Sequence, residues 1–394
     1  MNILYIHQYF NTPKEPGGTR SYWISKKLVD RGFKVIVITS KRGSDQPRFK
    51  TIEGIKIIYV NVSYDQSMNL IQRAYSFLKF TLLSTIEALK IRNVKMVIAT
   101  STPLTIGIPA LIIKIIKKTP FIFEVRDLWP DVPIEMGAIK NPILIKLLKA
   151  LEIRLYKESS HIVALSPGMK DGITKYVQPN KISVIPNMAK IAEFWPRNKN
   201  LEIMEHLKLG KNQFRIIHFG AIGKANDIIT ILKSFKSFNN KDYELIFAGG
   251  GSEEFHCINY CKENNLDNVR FIGRHPMDKI SEIVNLCDVS LVSFKNIPIL
   301  YTNSPNKFFD SLSAGKPILV NSAGWTKDIV EKNKCGLYFH PENPKEFEKA
   351  LKILKEDIEL YNQMSLNARK LAINKYDKEI LTEQFYQILY NLCL

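Results

Sequence analysis

Short hydrophobic runs alternate with helical patterns along the first half of the chain. NILYIH is followed by a loop, by a predicted helix over Arg20–Asp30 and by the run KVIVITS. Strands that alternate with helices are typical of βαβ units and of a parallel sheet. The rhythm continues with a predicted helix over Leu104–Lys118 and with the predicted strands IKIIYVNV, VKMVIATS, PFIFEVRD, HIVALS and KISVIPN.

The alternation stops between residues 188 and 213 and then resumes with FRIIHFGA, YELIFAGGG, VRFIGRH, VSLVSF and PILVNS. A chain of 394 residues is too long for one ordinary core. We therefore predict an α/β fold with two Rossmann-like, doubly wound parallel-sheet domains, at 1–190 and 191–377, facing a central cleft that binds ligands. The final helix, at 378–394, can pack on either domain, the first included.

Charge separates the two halves. Residues 1–190 hold 29 Lys and Arg against 13 Asp and Glu, whereas the remainder holds 27 against 25. A basic domain favours an anionic partner, such as nucleic acid, a phosphorylated ligand or an anionic membrane. A charge that served solubility alone would be shared by both halves.

The five cysteines lack paired spacing, which favours a reducing compartment. The first residues form a strand pattern and not a charged region before a long apolar run, so we expect no signal peptide. The longest uncharged run, Met96–Ile113, contains prolines and polar residues, so we expect no membrane span there. The expected location is cytoplasmic.

Two loops follow the first strand of each predicted domain. Glycines let a backbone approach an anion, and a following helix offers free N–H groups. An ordinary turn explains the first loop equally well, but the matched position of the two favours phosphate. Each loop combines two glycines with a basic residue: Gly17, Gly18 and Arg20 in the first, and Gly220, Gly223 and Lys224 in the second.

A third glycine cluster, 249–251, follows YELIF. A dinucleotide fingerprint needs a further glycine at 254, where Glu254 would repel a pyrophosphate. This argues against a dehydrogenase. We expect the turn, with Gly250, to line the cleft.

The polar segment EVRDLWPD, residues 124–131, ends an apolar strand and is predicted to face the cleft. Asp127 can orient a substrate hydroxyl or act as a base, and Arg126 can bind a phosphate. The alternative is a salt-bridge network of Arg126 with Glu124 and Asp127 that only shapes the turn.

The segment SPNKFFDSLSAGKP, residues 304–317, predicts a short helix with Ser304 as its cap and Pro305 at its first position. Lys307 lies in the first turn, where a cation opposes the helix dipole unless an anion is bound. Asp310, one turn later, can accept hydrogen bonds from vicinal hydroxyls.

With these segments in place, the chain resembles the family 4 glycosyltransferases of the GT-B type, and especially bacterial enzymes that build O-antigen, colanic acid or capsule repeat units, N-acetyl-fucosamine transferases among them. The resemblance spans nearly the whole chain, and its most specific blocks are VRDLWPD at 125–131 and SPNKFFD at 304–310. It implies a retaining transferase that uses a UDP-sugar as its substrate.

The resemblance also implies residue roles. It assigns the diphosphate to Lys224 and to Lys307, with Ser304 and Asn306 at the start of the same helix. It assigns the ribose to Asp310 and the base to the loop with Gly273 and Arg274. Gly17 and Gly18 would close over the donor, and Arg126 and Asp127 would lie next to the transferred sugar.

Metal-binding motifs are absent from the sequence: it contains no His-Glu-x-x-His and no Asp-x-Asp. We therefore expect no metal and no cofactor. Lysine, arginine and helix dipoles would then neutralise the departing diphosphate.

The sequence departs from the family at one position. Thr302 stands where the first acid of the family's Glu-x7-Glu motif contacts the donor sugar, eight residues before Asp310. This predicts a donor with different hydroxyls, such as a deoxy or N-acetylated sugar.

In this family the N-terminal domain takes the acceptor, which implies a polyprenyl-diphosphate-linked saccharide at the inner face of the plasma membrane. Leu70–Arg92 and Pro142–Tyr156 mix apolar and basic residues as interfacial helices do, although core-facing helices with solvated lysines fit the same pattern. We expect a peripheral protein on an anionic membrane surface.

Two alternatives stay open. A UDP-sugar epimerase of the same double fold would need no basic acceptor surface. A nucleic-acid-binding protein would suit the charge of the first domain, but the sequence holds no recognition module or aromatic platform.

Overall fold

The computed structural model describes residues 1–15, 17–41, 46–64, 68–210, 212–238 and 240–393. The chain forms two compact units. The first comprises Met1–Thr12, Gly18–Pro186 and Glu379–Leu394, and the second comprises Pro13–Gly17 and Asn187–Lys378. The main boundary follows Pro186, whereas the sequence placed it after residue 190.

The first unit is built on an eight-stranded sheet in the order β3-β4-β2-β1-β5-β6-β7-β8, in which only the β3–β4 pair is antiparallel. Its buried strands are the predicted hydrophobic runs. The strands are β1 (Asn2–Ile6), β2 (Lys34–Ser40), β3 (Phe49–Ile52), β4 (Ile55–Val60), β5 (Val94–Thr100), β6 (Phe121–Val125), β7 (His161–Ala164) and β8 (Ile182–Val184).

The edge strand β3 was not predicted. Its residues are largely exposed, so they show no hydrophobic run, and only pairing with β4 defines the strand. This is consistent with an edge position, where one side of a strand faces water.

Among the described residues, six α-helices connect these strands: α1 (Arg20–Asp30), α2 (Leu70–Lys90), α3 (Gly107–Lys117), α4 (Asp131–Glu135), α5 (Pro142–Glu158) and α6 (Pro167–Thr174). The bounds of α1 match the prediction. The helix predicted over Leu104–Lys118 instead begins with a 3-10 turn, Leu104–Ile106, before α3. Helix α3 lies between α2 and α5 and contacts both.

The second unit has a six-stranded sheet in the order β11-β10-β9-β12-β13-β14, in which every neighbouring pair is parallel. Buried residues of its central strands, such as Ile216, Leu245 and Leu291, form its core with the helices. The strands are β9 (Phe214–Ala221), β10 (Tyr243–Gly250), β11 (Val269–Phe271), β12 (Val289–Val292), β13 (Ile318–Val320) and β14 (Gly336–Tyr338).

Eight helices complete the described part of this unit: α7 (Leu201–His206), α8 (Ile228–Phe238), α9 (Glu254–Glu263), α10 (Met277–Leu286), α11 (Asn306–Ser313), α12 (Trp325–Lys332), α13 (Pro344–Glu356) and α14 (Ile358–Leu371). Both units are therefore α/β with mainly parallel sheets, which confirms the predicted fold class. No helix in the described ranges is both long and apolar enough to cross a bilayer.

The last helix, α15 (Lys378–Cys393), belongs to the first unit from Glu379 onward. Its residues Leu381, Phe385 and Leu389 are buried. Two ion pairs join it to the end of α1: Glu379 with Lys27 at 2.7 Å and Glu383 with Arg31 at 2.6 Å.

Candidate functional site

The carboxyl ends of β9 and β10 meet through glycines. A Cβ atom on Gly249 would lie 1.8 Å from the carbonyl oxygen of Gly220, and one on Gly251 would lie 2.4 Å from that of Ile222. Gly220 has a φ of +104°, which suits glycine. The two strand ends therefore approach more closely than residues with side chains allow, and the backbone of Gly220 at the end of β9 is exposed to a ligand.

Lys307 lies beside this backbone. A Cβ atom on Gly220 would stand 3.6 Å from Lys307 Cε. The lysine is buried, and it makes no salt bridge with any described residue. Its Nζ lies 2.7 Å from Nε2 of His218 on β9. A buried amine without a carboxylate is an available site for an anion.

The ionisation of this pair follows from its burial. Burial lowers the pKa of Lys307 to about 7. Burial, and then the adjacent lysine, hold the pKa of His218 well below its usual value. His218 is therefore neutral near pH 7, and a single proton on Lys307 decides the charge of the pair. His218 was not predicted, because nothing in the local sequence distinguishes it from other strand residues.

The start of α11 differs from the prediction. Its N-cap is Pro305, and no side chain caps the helix. Ser304 instead accepts a hydrogen bond at its Oγ from the backbone N–H of Asn187, at 3.1 Å. The side-chain amide of Asn187 also donates to the Ser304 carbonyl. The predicted Ser304 cap is thus wrong, and the first turn, with Asn306 half-buried, keeps N–H groups for a ligand.

Asp310, one turn into α11, pairs with Lys190. Lys190 Nζ donates to Asp310 Oδ2 at 2.9 Å, and both residues are buried. Burial raises the pKa of Asp310, although the lysine acts in the opposite direction. Lys190 Nζ also lies 2.9 Å from Asp310 Oδ1, so the ion pair involves both carboxylate oxygens, although the contact to Oδ1 lacks hydrogen-bond geometry. Lys190 was missed because the pair joins positions far apart in the chain.

The remaining predicted site residues of the second unit lie at or after the carboxyl ends of β9, β10 and β11. The exposed Arg274 passes over Gly250, where an added Cβ atom would lie 2.9 Å from its Nε. Gly273 has a φ of +74° and open space around it. The Gly223 N–H points to the side-chain oxygen of Asn226 at 3.4 Å, and Lys224 next to it is exposed. The structure thus brings Gly220 to Lys307 and Gly250 to Arg274, and leaves Lys224 on the surface.

The first unit holds a buried ion pair at the end of β6. Arg20 Nε donates to Glu124 Oε1 at 2.7 Å, and both side chains are fully buried. The hydroxyls of Thr100 and Tyr5 donate to Glu124 Oε2 at 2.7 and 3.2 Å. Burial alone would raise the pKa of Glu124, but Arg20 and Arg126 lower it. Glu124 therefore pairs with Arg20, and the alternative network of Arg126 with Glu124 and Asp127 forms no salt bridge among the described residues.

Asp127 and Arg126 follow β6 directly. Asp127 is half-buried, and its Oδ2 accepts a hydrogen bond from the Thr102 hydroxyl at 3.1 Å. Burial raises the pKa of Asp127, opposed by Arg126 and by that hydrogen bond. Arg126 Nη1 lies 3.5 Å from Nε2 of His7, whose Nδ1 contacts Ser21 Oγ at 2.8 Å.

No sequence pattern singles out His7, so it was not predicted. It follows β1, as Thr102 follows β5 and Asp127 follows β6. These three strands are neighbours in the sheet, so their carboxyl ends bring the three side chains to one edge. Knowledge of the strand order would have been needed to find this cluster.

In the loop before α1, Gly17 has a φ of +122° and is followed by Gly18. The helix has Thr19 as its N-cap, without a side-chain cap bond. In the described ranges no group of three or more His, Cys, Asp or Glu could hold a metal ion.

Two protein-family models match the chain. The glycosyl transferase 4-like domain matches residues 17–188, and the glycosyl transferases group 1 model matches residues 199–371. The first range lies almost wholly in the first unit but leaves out β1 and the terminal helix, and the second range lies within the second unit. Together the two models cover most of the chain.

Curated relatives bear glycosyltransferase names. A probable glycosyltransferase, WbjE, of Pseudomonas aeruginosa is 23% identical over 57% of this chain and 57% of its own length. An Escherichia coli UDP-Gal:alpha-D-GlcNAc-diphosphoundecaprenol alpha-1,3-galactosyltransferase is 26% identical over 58% of this chain and 59% of its own. The chain thus matches less than two thirds of these relatives' length.

Solved structures share the fold over nearly the full length. Sucrose-phosphate synthase from Thermosynechococcus elongatus has a TM-score of 0.81 at 15% identity, covering 99% of this chain and 98% of that one. Anabaena HepE, in complex with UDP and glucose, has a TM-score of 0.74 at 16% identity, covering 98% and 99%. With both family models and the fold in agreement, the chain belongs to the family 4-type glycosyltransferases of the GT-B fold.

Proposed function

We propose that the protein is a retaining glycosyltransferase that moves a sugar from a UDP-sugar to a lipid-linked saccharide in the assembly of a surface polysaccharide such as O-antigen or capsule. The observation that carries the proposal is the buried Lys307, without a carboxylate partner, beside Gly220 and an uncapped helix start. The name of the Escherichia coli relative, with its UDP-sugar donor and lipid diphosphate acceptor, supports the substrate classes.

The donor diphosphate would bind at this amine. Cleavage of the bond between the sugar and the diphosphate leaves negative charge on the phosphate oxygens, so cations and helix N–H groups aimed there lower the barrier. Lys307 supplies the cation, and the first turn of α11, which begins at Asn306, supplies the N–H groups. The hydrogen bonds of Ser304 with Asn187 hold this turn in place. Lys224, exposed after β9, adds a second cation without a metal ion.

The nucleoside would occupy the neighbouring strand ends. Asp310 Oδ1, which is ion-paired with Lys190 but accepts no hydrogen bond from the described residues, is proposed to accept one from a ribose hydroxyl. Gly250, Gly273 and Arg274 form the surface proposed for the base. Gly17 and Gly18 are proposed to contact the donor from the loop before α1.

In the transfer step, the acceptor hydroxyl oxygen bonds to the anomeric carbon on the face from which the diphosphate departs. The bond from that carbon to the phosphate oxygen breaks, and the hydroxyl proton passes to the departing diphosphate. Asp127 is proposed to position the acceptor, and Arg126 to bind an acceptor phosphate.

The donor sugar is proposed to be N-acetylated and deoxygenated. Thr302 replaces the family acid that contacts the sugar, and its hydroxyl donates to the Ile299 carbonyl at 2.8 Å. A neutral side chain here removes an acceptor for a sugar hydroxyl.

A thermal-shift panel of nucleoside diphosphates and their sugars tests the donor class. We expect UDP and UDP-N-acetylhexosamines to raise the melting temperature, and other nucleotides to raise it less. Transfer is then measured with a polyprenyl-diphosphate-linked saccharide. A strong preference for UDP-glucose would contradict the proposed donor, and conversion of a UDP-sugar without any acceptor would favour an epimerase.

A further inference from the structure

The helix layer of α2, α3 and α5 leaves an apolar surface unpartnered. On α2 the exposed apolar residues recur every three or four positions, so they lie on one stripe of the helix. They are between 42 and 82% exposed: Ile71, Tyr75, Leu78, Leu82 and Ile86. At 1.5 Å per residue this stripe is about 22 Å long.

The neighbouring helices extend the surface. On α3, Ile115 and Ile116 are exposed, and on α5, Ile143, Leu144 and Leu147 are exposed. Helix α3 contacts both α2 and α5, so the exposed residues belong to three adjacent helices of one unit. We call these ten residues the α2–α3–α5 face. Exposed apolar residues gathered on adjacent helices mark a candidate binding surface.

Charge identifies the partner. Lys79 and Lys146 stand within this face, and neither forms a salt bridge with a described residue. Lys79 Nζ lies 5.9 Å from the centre of the Tyr75 ring. Glu87, Glu152 and Glu158, the carboxylates of these three helices, are all paired with lysine or arginine.

We infer that the α2–α3–α5 face docks on the surface of an anionic lipid bilayer, with its apolar side chains at the acyl boundary and its lysines at the headgroups. Interfacial helices combine these two features. A second copy of the same face would bring lysine against lysine with no unpaired carboxylate between them. The inference extends the proposed function, because a lipid-linked acceptor is reached from such a surface.

Vesicle flotation at low salt tests the inference. We expect the protein to float with vesicles in which a third of the lipid is phosphatidylglycerol, and not with pure phosphatidylcholine. Tyr75→Ser with Leu78→Ser and Leu82→Ser should reduce the bound fraction by about tenfold or more. Lys79→Glu with Lys146→Glu should weaken binding and reduce its salt dependence.

A matched control removes exposed apolar residues elsewhere. Phe255→Ser with Leu366→Ser changes two side chains of similar exposure in the second unit and should float like the unmodified protein. Flotation of the triple variant at the unmodified level, or no flotation of the unmodified protein, would overturn the inference. The inference would also be overturned if light scattering showed a dimer for the unmodified protein and a monomer for the triple variant, because the face would then bind a second copy.

The outcome is separable from the proposed function. UDP-sugar binding, followed by calorimetry without lipid, should be the same in the unmodified protein and the triple variant. If the unmodified protein bound UDP-sugars but not vesicles, only the inference of a membrane-docking face would be contradicted. If the unmodified protein bound vesicles but not UDP-sugars, only the proposed donor class would be contradicted.

Discussion

Lys307 Nζ lies 2.7 Å from His218 Nε2, and no carboxylate of the described chain pairs with the lysine. The histidine, on β9, can accept a hydrogen bond from the protonated amine but cannot neutralise its charge. The pair is therefore a buried position where a proton and an anion would bind together.

Replacing Lys307 with alanine should weaken UDP-sugar binding roughly 10- to 100-fold, because a charge-assisted contact to the diphosphate is lost. Calorimetry measures the dissociation constant, and circular dichroism should show an unchanged fold. Lys233→Ala, at an exposed position of α8, is the control and should bind normally. If the two variants bound the UDP-sugar with equal affinity, Lys307 would not contact the donor.

The affinity for a UDP-sugar should fall as pH rises above about 7. The pKa of the free Lys307 is lowered to about 7, so the free protein loses this proton there, whereas the bound diphosphate favours the protonated amine. The dissociation constant should rise up to about tenfold per pH unit until the pKa of the complex is reached.

This pH dependence has its own control. The Lys307→Arg variant keeps its positive charge across this pH range, so its dissociation constant for the UDP-sugar should not change with pH. A steep dependence that survives in both the arginine and the alanine variants would assign the titration to another group.

Gly249→Ala should prevent the second unit from folding normally. Its Cβ atom would lie 1.8 Å from the Gly220 carbonyl oxygen, and a backbone atom in a central strand cannot move aside. Gly223→Ala is the matched change, since its Cβ atom would lie 3.9 Å from the nearest group. Thermal unfolding should show a large loss for the first variant and a small one for the second; similar curves would contradict the close approach of β9 and β10.

Glu124→Gln should destabilise the first unit by about 3–5 kcal/mol, because it leaves the buried Arg20 charge without a counter-ion. Arg20→Met with Glu124→Leu should recover most of the free energy of unfolding. The pKa of Glu124 is lowered from its ordinary 4.5 in the folded state, so the pair stabilises fully above pH 4.5 and the effect is lost as pH falls further. Urea unfolding at several pH values checks both statements.

Asp127→Asn should lower the turnover rate and leave the UDP-sugar dissociation constant unchanged, because Asp127 is proposed to act on the acceptor. Asparagine can still accept the Thr102 hydrogen bond, so the turn should persist. Steady-state kinetics with a lipid-linked acceptor measures the effect. Normal turnover would exclude Asp127 from the reaction.

Periodicity was sufficient for the elements with a buried face. Helix α1 and strand β2 have the predicted bounds, since their hydrophobic patterns are set by burial within a single element. The exposed edge strand β3 has no such pattern and depends on its partner. The 3-10 turn before α3 was also beyond reach, because both helix types carry the same residues.

The candidate site was predictable where its chemistry is local. The misplaced charge of Lys307 and the glycines at 220 and 249–251 were visible in single segments. His218, Lys190 and His7 were not, because each gains its role from a contact with a residue distant in sequence. The predicted Ser304 cap was wrong for the same reason, since Asn187 donates hydrogen bonds to the Ser304 hydroxyl and carbonyl.

Helix α15 sets an order for synthesis. The first unit needs Leu381, Phe385 and Leu389 to complete its packing, yet these residues leave the ribosome only after the whole second unit has been made. Domains usually fold in turn as they emerge, the N-terminal one first. Here the first unit must wait with the surface beside α1 uncovered, and the second unit can finish folding before the first.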